Sequence, residues 1–124
     1  MSKFKDSVLK AVSLVPKGKV VSYGQVALMV GIPRAAIQVG WVLHINGDKV
    51  PWWRVVNKRG RISTTCMEHT ANMQKTLLES EEVKVSDDLM IDMNIYRFIP
   101  DERFLDKLNL DDEYIQVLID KYGV

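Results

Sequence analysis

The chain has one cysteine, Cys66, among 124 residues, which excludes an internal disulfide framework and fits a reducing compartment. No apolar run approaches the roughly 20 residues needed to span a bilayer. Lys3, Lys5, Asp6 and Lys10 interrupt the stretch where a signal peptide would carry its apolar region. The expected location is therefore the cytosol, or the nucleus in a eukaryotic source, with no membrane association. His44 and His69 stand at no metal-ligand spacing with Cys66, so neither a metal site nor any other cofactor is expected. Internal repeats and low-complexity tracts are absent. Acidic residues are scarce in one half only. Residues 1–63 hold eleven of the 17 Lys+Arg but only Asp6 and Asp48, a balance of +9, whereas residues 64–124 hold six cations and 14 acids, a balance of −8. The net charge of +1 hides this polarity, which suggests that the first half builds a surface facing a polyanion. The bland alternative is a solvated surface with a chance split.

What is present fits one domain with a single core: 47% hydrophobic and 27% charged residues are those of an ordinary globular protein. The most informative stretch is Pro51-Trp52-Trp53-Arg54-Val55-Val56, followed by Asn57-Lys58-Arg59-Gly60-Arg61-Ile62-Ser63. Pro51 fixes a rigid entry. Adjacent indoles in an extended segment point to opposite sides, so Trp52 and Trp53 are expected in different environments. Lys58, Arg59 and Arg61 then set cations beside an aromatic wall, a combination suited to a base with its phosphates.

In chain order, Phe4, Val8, Ala11, Val12 and Val15 predict an amphipathic helix over residues 3–15, stopped by Pro16. Ser22-Tyr23-Gly24-Gln25 has the form of a capping box, opening a short helix with Gly31 as its left-handed terminator. A second helix is expected over residues 33–43, with Val39, Val42 and Leu43 as its apolar face and the small Ala35, Ala36 and Gly40 leaving another face bare. Helix, tight turn and helix is the helix-turn-helix pattern. From this segment alone, close helix packing explains the small residues as well as groove approach does. Residues 44–49 read as a loop turning at Asn46-Gly47. Val55-Val56 and Arg61-Ile62-Ser63 are expected to pair as a small hairpin or wing across Gly60. Beyond it lie a helix over residues 67–79, strands at Val83-Lys84-Val85 and over residues 91–95 (extended through Tyr96 and Phe98), and a final helix carrying Tyr114, Ile115, Leu118, Ile119 and Tyr122 behind Asp111-Asp112-Glu113.

Gly18-Lys19-Val20-Val21-Ser22-Tyr23-Gly24-Gln25-Val26-Ala27, then Gly31-Ile32-Pro33-Arg34-Ala35-Ala36, Val39-Gly40 and Pro51-Trp52-Trp53-Arg54-Val55-Val56-Asn57 together resemble one family. It is that of the O6-alkylguanine-DNA alkyltransferases, in their DNA-binding domain, and within it the alkyltransferase-like proteins. The resemblance covers roughly residues 3–98 and lies in the order and spacing of short motifs. It implies a small α/β domain, mainly α, over residues 1–100: a winged helix-turn-helix core with a short β-hairpin. Residues 101–124 lie beyond the resemblance and are expected, from the final amphipathic pattern alone, to form a helical extension.

The alkyltransferases carry Pro-Cys-His-Arg-Val, whose cysteine accepts the alkyl group of a flipped guanine. Trp52 stands at the cysteine position here and Trp53 at the histidine position, so no nucleophile or activating base remains and no catalytic residue is expected. The alkyltransferase-like proteins share the Cys-to-Trp change. The resemblance thus implies a non-enzymatic monomer that binds double-stranded DNA carrying O6-alkylguanine, flips the base and passes the lesion to nucleotide excision repair proteins. Carried over by position, Tyr23 crowds the target phosphate and helps rotate the nucleotide. The 33–43 helix lies in the minor groove through Arg34, Ala35, Ala36, Ile37, Gln38 and Gly40. Trp52 lies against the extruded base, Arg54 orders the turn, and Val55, Val56, Ile62 and Ser63 form the far wall. Ser22, Lys58, Arg59 and Arg61 complete the DNA-binding set. One position departs from the family: the arginine that enters the stack is replaced by Ile37, which can wedge between bases but cannot hydrogen-bond the orphaned partner base.

Two alternatives belong to other classes. A winged helix-turn-helix regulator would read undamaged sequence in the major groove, yet the second helix offers mainly Arg34 and Gln38 for base edges. A true alkyltransferase would have to work through Cys66, which stands outside the Pro-Cys-His-Arg frame.

Overall fold

A computed structural model of the chain describes residues 3–64 and 69–100, together with Glu113 and Gln116. Cys66, and the final helix apart from the helical Glu113 and Gln116, lie outside the described residues.

Three helices pack first. Helix α1, Lys3–Ser13, buries Val8, Ala11 and Val12. Strand β1, Val21–Ser22, leads directly into α2, Tyr23–Met29. The capping box forms as the sequence requires: the Gln25 amide donates to Ser22 Oγ at 3.0 Å, and the Ser22 amide donates to Gln25 Oε1 at 3.4 Å. At the other end of α2, Gly31 takes φ +85°. Its amide donates to the Leu28 carbonyl at 3.1 Å, and that of Ile32 to Ala27 at 3.0 Å, the paired bonds that close a helix through a left-handed residue. Helix α3 then runs Ala36–Asn46, three residues later at each end than residues 33–43. Arg34 and Ala35 therefore precede the helix, and the expected loop at His44 is helix, because Asn46-Gly47 does not turn in the left-handed region: Gly47 has φ −60° and opens a 3₁₀ turn, Gly47–Lys49.

Strand β2, Val55–Val56, pairs in parallel with β1, Val21 opposite Val55 and Ser22 opposite Val56. The sequence led us to expect a hairpin with Arg61-Ile62-Ser63 instead. Having crossed through α2 and α3, the chain returns in the same direction as β1, which takes up the available edge. Residues 57–61 do turn sharply, with the Asn57 amide donating to the Arg61 carbonyl at 3.0 Å. Beyond the turn, however, Arg61 bridges Met90 and the Ile62 amide donates to Leu89 at 2.9 Å.

The two-stranded ribbon divides the interior. Alternation sends Val21 and Val55 towards the helical core with Val12, Val26, Val39 and Leu43, and Val20 and Val56 towards a second cluster with Ile62, Leu78, Val83, Val85 and Ile91. Helix α4, Ala71–Ser80, is capped by Thr70 and covers the second cluster through Leu78. It starts later than residue 67 and ends through Glu82 at φ +68°. Val83 and Val85 alternate inward as a strand would, but the Val83 amide closes α4 on Leu78 at 3.0 Å and no ladder forms. Nor do residues 91–95 make a strand. Asp92 Oδ1 accepts the Asn94 amide at 2.9 Å and starts a single turn, α5, Met93–Tyr96. The extension expected at Tyr96 and Phe98 is present as backbone pairing to Val20, at 2.9 and 2.8 Å.

Candidate nucleic-acid interface

The motif after Pro51 is a 3₁₀ turn, Trp52–Arg54, held from behind. Gln74, buried on α4, donates through Nε2 to the carbonyls of Trp53 (3.0 Å) and Val55 (2.9 Å). Glu81 receives four donors: Arg54 Nε (2.9 Å) and Nη2 (2.7 Å), Trp53 Nε1 (2.9 Å) and the Gly18 amide (3.2 Å). Arg54 Nη1 donates in addition to the Val15 carbonyl at 2.8 Å. Burial alone would raise the Glu81 carboxyl; the bonds from Arg54, Trp53 and Gly18, with the Arg54 charge, outweigh it and hold the group below its ordinary range. The turn is therefore a fixed shelf.

Trp52 is only 9% exposed. Its ring meets His69 at 4.5 Å between centroids, tilted by 32°, and stands edge-on to Trp53 at 6.1 Å. His69 Nε2 in turn meets Asp48 Oδ1 at 2.8 Å. Gly47 lies so close that a Cβ there would come within 3.2 Å of the His69 ring and 3.3 Å of Trp52 Cβ.

In front of this layer opens a cleft of about 640 Å³, a size typical of small-molecule sites. One wall is helical and largely apolar: Tyr23 and Gly24 of α2, then Ala36, Ile37, Gly40, Trp41 and His44 of α3. The opposite wall is polar, built from Asn57, Lys58, Ser63 and Thr64. Burial raises the Tyr23 phenol above its ordinary value, so its hydroxyl stays a neutral donor. The basic turn is shaped by Asn57, whose Oδ1 accepts the amides of Arg59 and Arg61, both at 2.9 Å. Gly60 sits at φ +89°, where a Cβ would fall 2.3 Å from the Ile91 carbonyl oxygen, so only glycine fits. Arg34, Lys58, Arg59 and Arg61 are exposed, and none forms an ion pair with a described acid.

The cleft thus gathers Tyr23, Ala36, Ile37, Gly40, Lys58 and Ser63 from the expected set. Trp52, expected against the extruded base, is not in its lining: its ring is buried and packs onto His69. Val55, Val56 and Ile62 are likewise buried, and Arg54 acts on the turn from within. Ser22 is consumed by its cap. Gln38 is exposed on α3, and Arg34 stands just before that helix rather than on its face.

The family described as 6-O-methylguanine DNA methyltransferase, DNA binding domain, matches residues 3–83. The chain belongs to this family. Among individual alkyltransferase-family relatives, it is 42% identical over 97 residues to the DNA base-flipping protein of Escherichia coli K12, covering 77% of this chain and 74% of that one. It is 41% identical over 87 residues to Alkyltransferase-like protein 1 of Schizosaccharomyces pombe, covering 68% and 81%. The crystal structure of S. pombe Atl1 in complex with damaged DNA containing O6-carboxymethylguanine superposes with a TM-score of 0.74 at 35% identity, covering 81% of this chain and 98% of that one.

Sequence reasoning missed five residues of the cleft lining: Gly24, Trp41, His44, Asn57 and Thr64. Trp41 was recoverable, since it follows Ile37 by four residues and must share its face of α3. Gln74 and Glu81, which hold the shelf, come from a helix and its end far along the chain, and no local pattern marks them.

Proposed function

We propose that this protein recognises O6-alkylguanine in double-stranded DNA without repairing it, by seating α3 in the minor groove and taking the lesion base into the cleft. The observation that carries the reading is the cleft itself: a helix face that combines the small Ala36 and Gly40 with the apolar Ile37 and Trp41 on one side, and a wall with Lys58, Asn57 and Ser63 on the other. Ala36 and Gly40 let the helix approach the groove floor, and Ile37, 76% exposed, is placed to fill the gap left by a departing base. Tyr23 is proposed to crowd the target phosphate, and Arg34, Lys58, Arg59 and Arg61 to neutralise flanking ones. Residues at the polar wall offer hydrogen bonds to the edge of an extruded purine, which offset part of the few kcal/mol lost on unstacking.

The non-enzymatic part of the reading rests on Trp52. The position of the alkyl acceptor carries an indole packed against His69, and no described residue of the cleft is a cysteine. Trp52, Val55, Val56 and Ile62 are buried and are proposed to act as support for the cleft, with Arg54 holding the Trp52–Arg54 turn from within. Support also comes from the S. pombe relative, whose crystal structure holds damaged DNA with O6-carboxymethylguanine. Handover to nucleotide excision repair, by a protein acting as a monomer, is the part of the reading that rests on family resemblance.

The test is a fluorescence-anisotropy titration at fixed salt with two duplexes of one sequence, one carrying a single O6-methylguanine, followed by assay of the protein for transferred methyl groups. Preference for the modified duplex with no methyl transfer is expected. Equal affinity for both duplexes would overturn lesion recognition, and methyl transfer would overturn its non-enzymatic character.

A further inference from the structure

The three tryptophans occupy three environments. Trp52 is closed off behind Gly47 and His69, and Trp53 is tied through its Nε1 to Glu81. Trp41 is different. It is 59% exposed, lines the cleft, and meets the His44 ring edge-on at 5.9 Å with an interplanar angle of 80°. Such a contact at one edge steadies an indole and leaves ring surface for another partner. Ile37 lies four residues before Trp41, about 6 Å along the helix axis, and is more exposed still. Gly40, between them, has no side chain to cover the indole, and even a Cβ there would reach only Tyr23 Cε1 at 4.0 Å. Large apolar side chains held in water on a helix face mark a surface meant for contact.

We infer that Trp41 is the stacking platform for the extruded base, with Ile37 as the wedge that fills its former place. The inference rests on the reading given under Proposed function and supplies that reading with a specificity-determining residue. The partner is fixed by the two walls. A planar ligand lying against an indole presents its edge outward, and the opposite wall offers polar partners for that edge in the Lys58 ammonium and the Ser63 hydroxyl. An alkylated purine has both parts, a π-face for Trp41 and ring nitrogens and an alkoxy oxygen for the polar wall. A purely aliphatic partner would make no use of Lys58 and Ser63. A helix bearing an apolar wedge and an indole discriminates by shape and stacking, so the lesion preference should respond little to ionic strength even though total affinity responds strongly.

The test compares the parent with Trp41→Ala and Trp41→Phe, titrated with the O6-methylguanine duplex and its unmodified twin at several salt concentrations. Melting temperature and circular dichroism confirm the fold of each variant. In the parent, the ratio of affinities should favour the lesion and stay nearly constant with salt. Trp41→Ala should reduce that ratio roughly tenfold, the scale of one base–aromatic stack, and Trp41→Phe should fall between. Binding of the modified duplex should also quench the indole emission of the parent, and that quench should vanish in Trp41→Phe, a signal a merely structural role would not produce. A parent that prefers the lesion while Trp41→Ala keeps the full ratio overturns this inference and leaves the function standing. Equal losses for both duplexes would make Trp41 a general groove contact and overturn it too. A parent with no lesion preference overturns the function and this inference with it.

Discussion

Arg54 and Glu81 meet through two parallel bonds, Nε to Oε1 at 2.9 Å and Nη2 to Oε2 at 2.7 Å, with both side chains largely shielded from water. This pair joins the Trp52–Arg54 turn to the end of α4, across 27 residues of chain. Its removal from one side leaves a guanidinium without its counter-charge in a shielded site. Glu81→Ala is therefore expected to destabilise the fold by about 3–5 kcal/mol, the range for breaking a buried pair. Thermal or urea unfolding reads this directly. Glu81→Gln keeps an acceptor for Trp53 Nε1 and should cost less. A Glu81→Ala protein as stable as the parent would show that the remaining bonds of Arg54 suffice.

The same carboxylate sets an acid limit. Glu81 is held below its ordinary value of 4.5, so the folded state binds its proton less readily than the unfolded chain does. Its stabilisation is complete above the ordinary value and is lost as pH falls through the lower, folded one. Urea midpoints taken from neutral pH down through that window should fall, and the Glu81→Gln protein should lose less over the same interval. Parallel curves for the two proteins would contradict the assignment.

The helical part of the fold was legible because each signal is local. Ser22 and Gln25 lie within one turn of each other, and Gly31 supplies a left-handed terminator that few other residues tolerate. The end of α4 uses the same closure through Glu82, and there the residue type gives no warning. The β pairing was not legible for a related reason. Val55-Val56 and Arg61-Ile62-Ser63 look like a hairpin across a turn, whereas their partners come from Val21 and Ser22 on one side and from residues 89–91 on the other. Alternation at Ile91, Met93 and Ile95 mimics a strand, but Asp92 is also a helix cap and the cap prevails. For the site, motif order located the wall made by α3 and the basic turn. It placed Trp52 in the pocket, against the extruded base, because nothing in the sequence says that His69 and Gly47 pack against that ring.

Gly60 tests the turn. With φ at +89° and the Ile91 oxygen 2.3 Å from any Cβ, Gly60→Ala must either shift the turn or push residue 91 away. A loss of more than about 1 kcal/mol is expected, beyond the penalty for φ alone. Because Lys58 sits on the same turn, DNA affinity should fall with it. A variant of unchanged stability would mean that the turn yields freely.

The last prediction separates charge from shape. Lys58 lines the polar wall, and Arg59 and Arg61 stand exposed beside it on the turn that Asn57 organises. Each cation that neutralises a phosphate releases counterions, and the salt dependence of binding steepens by about one unit of slope per contact. Arg59→Ala and Arg61→Ala should therefore each flatten the plot of log affinity against log salt by about one unit, for modified and unmodified duplex alike, with the ratio between the two conserved. Lys58→Ala should flatten the slope similarly and, because its side chain lines the cleft, should also lower the ratio. Titrations at four or five salt concentrations decide the matter. A slope unchanged in all three variants would remove the basic turn from the DNA interface and place phosphate contact elsewhere on the first half of the chain.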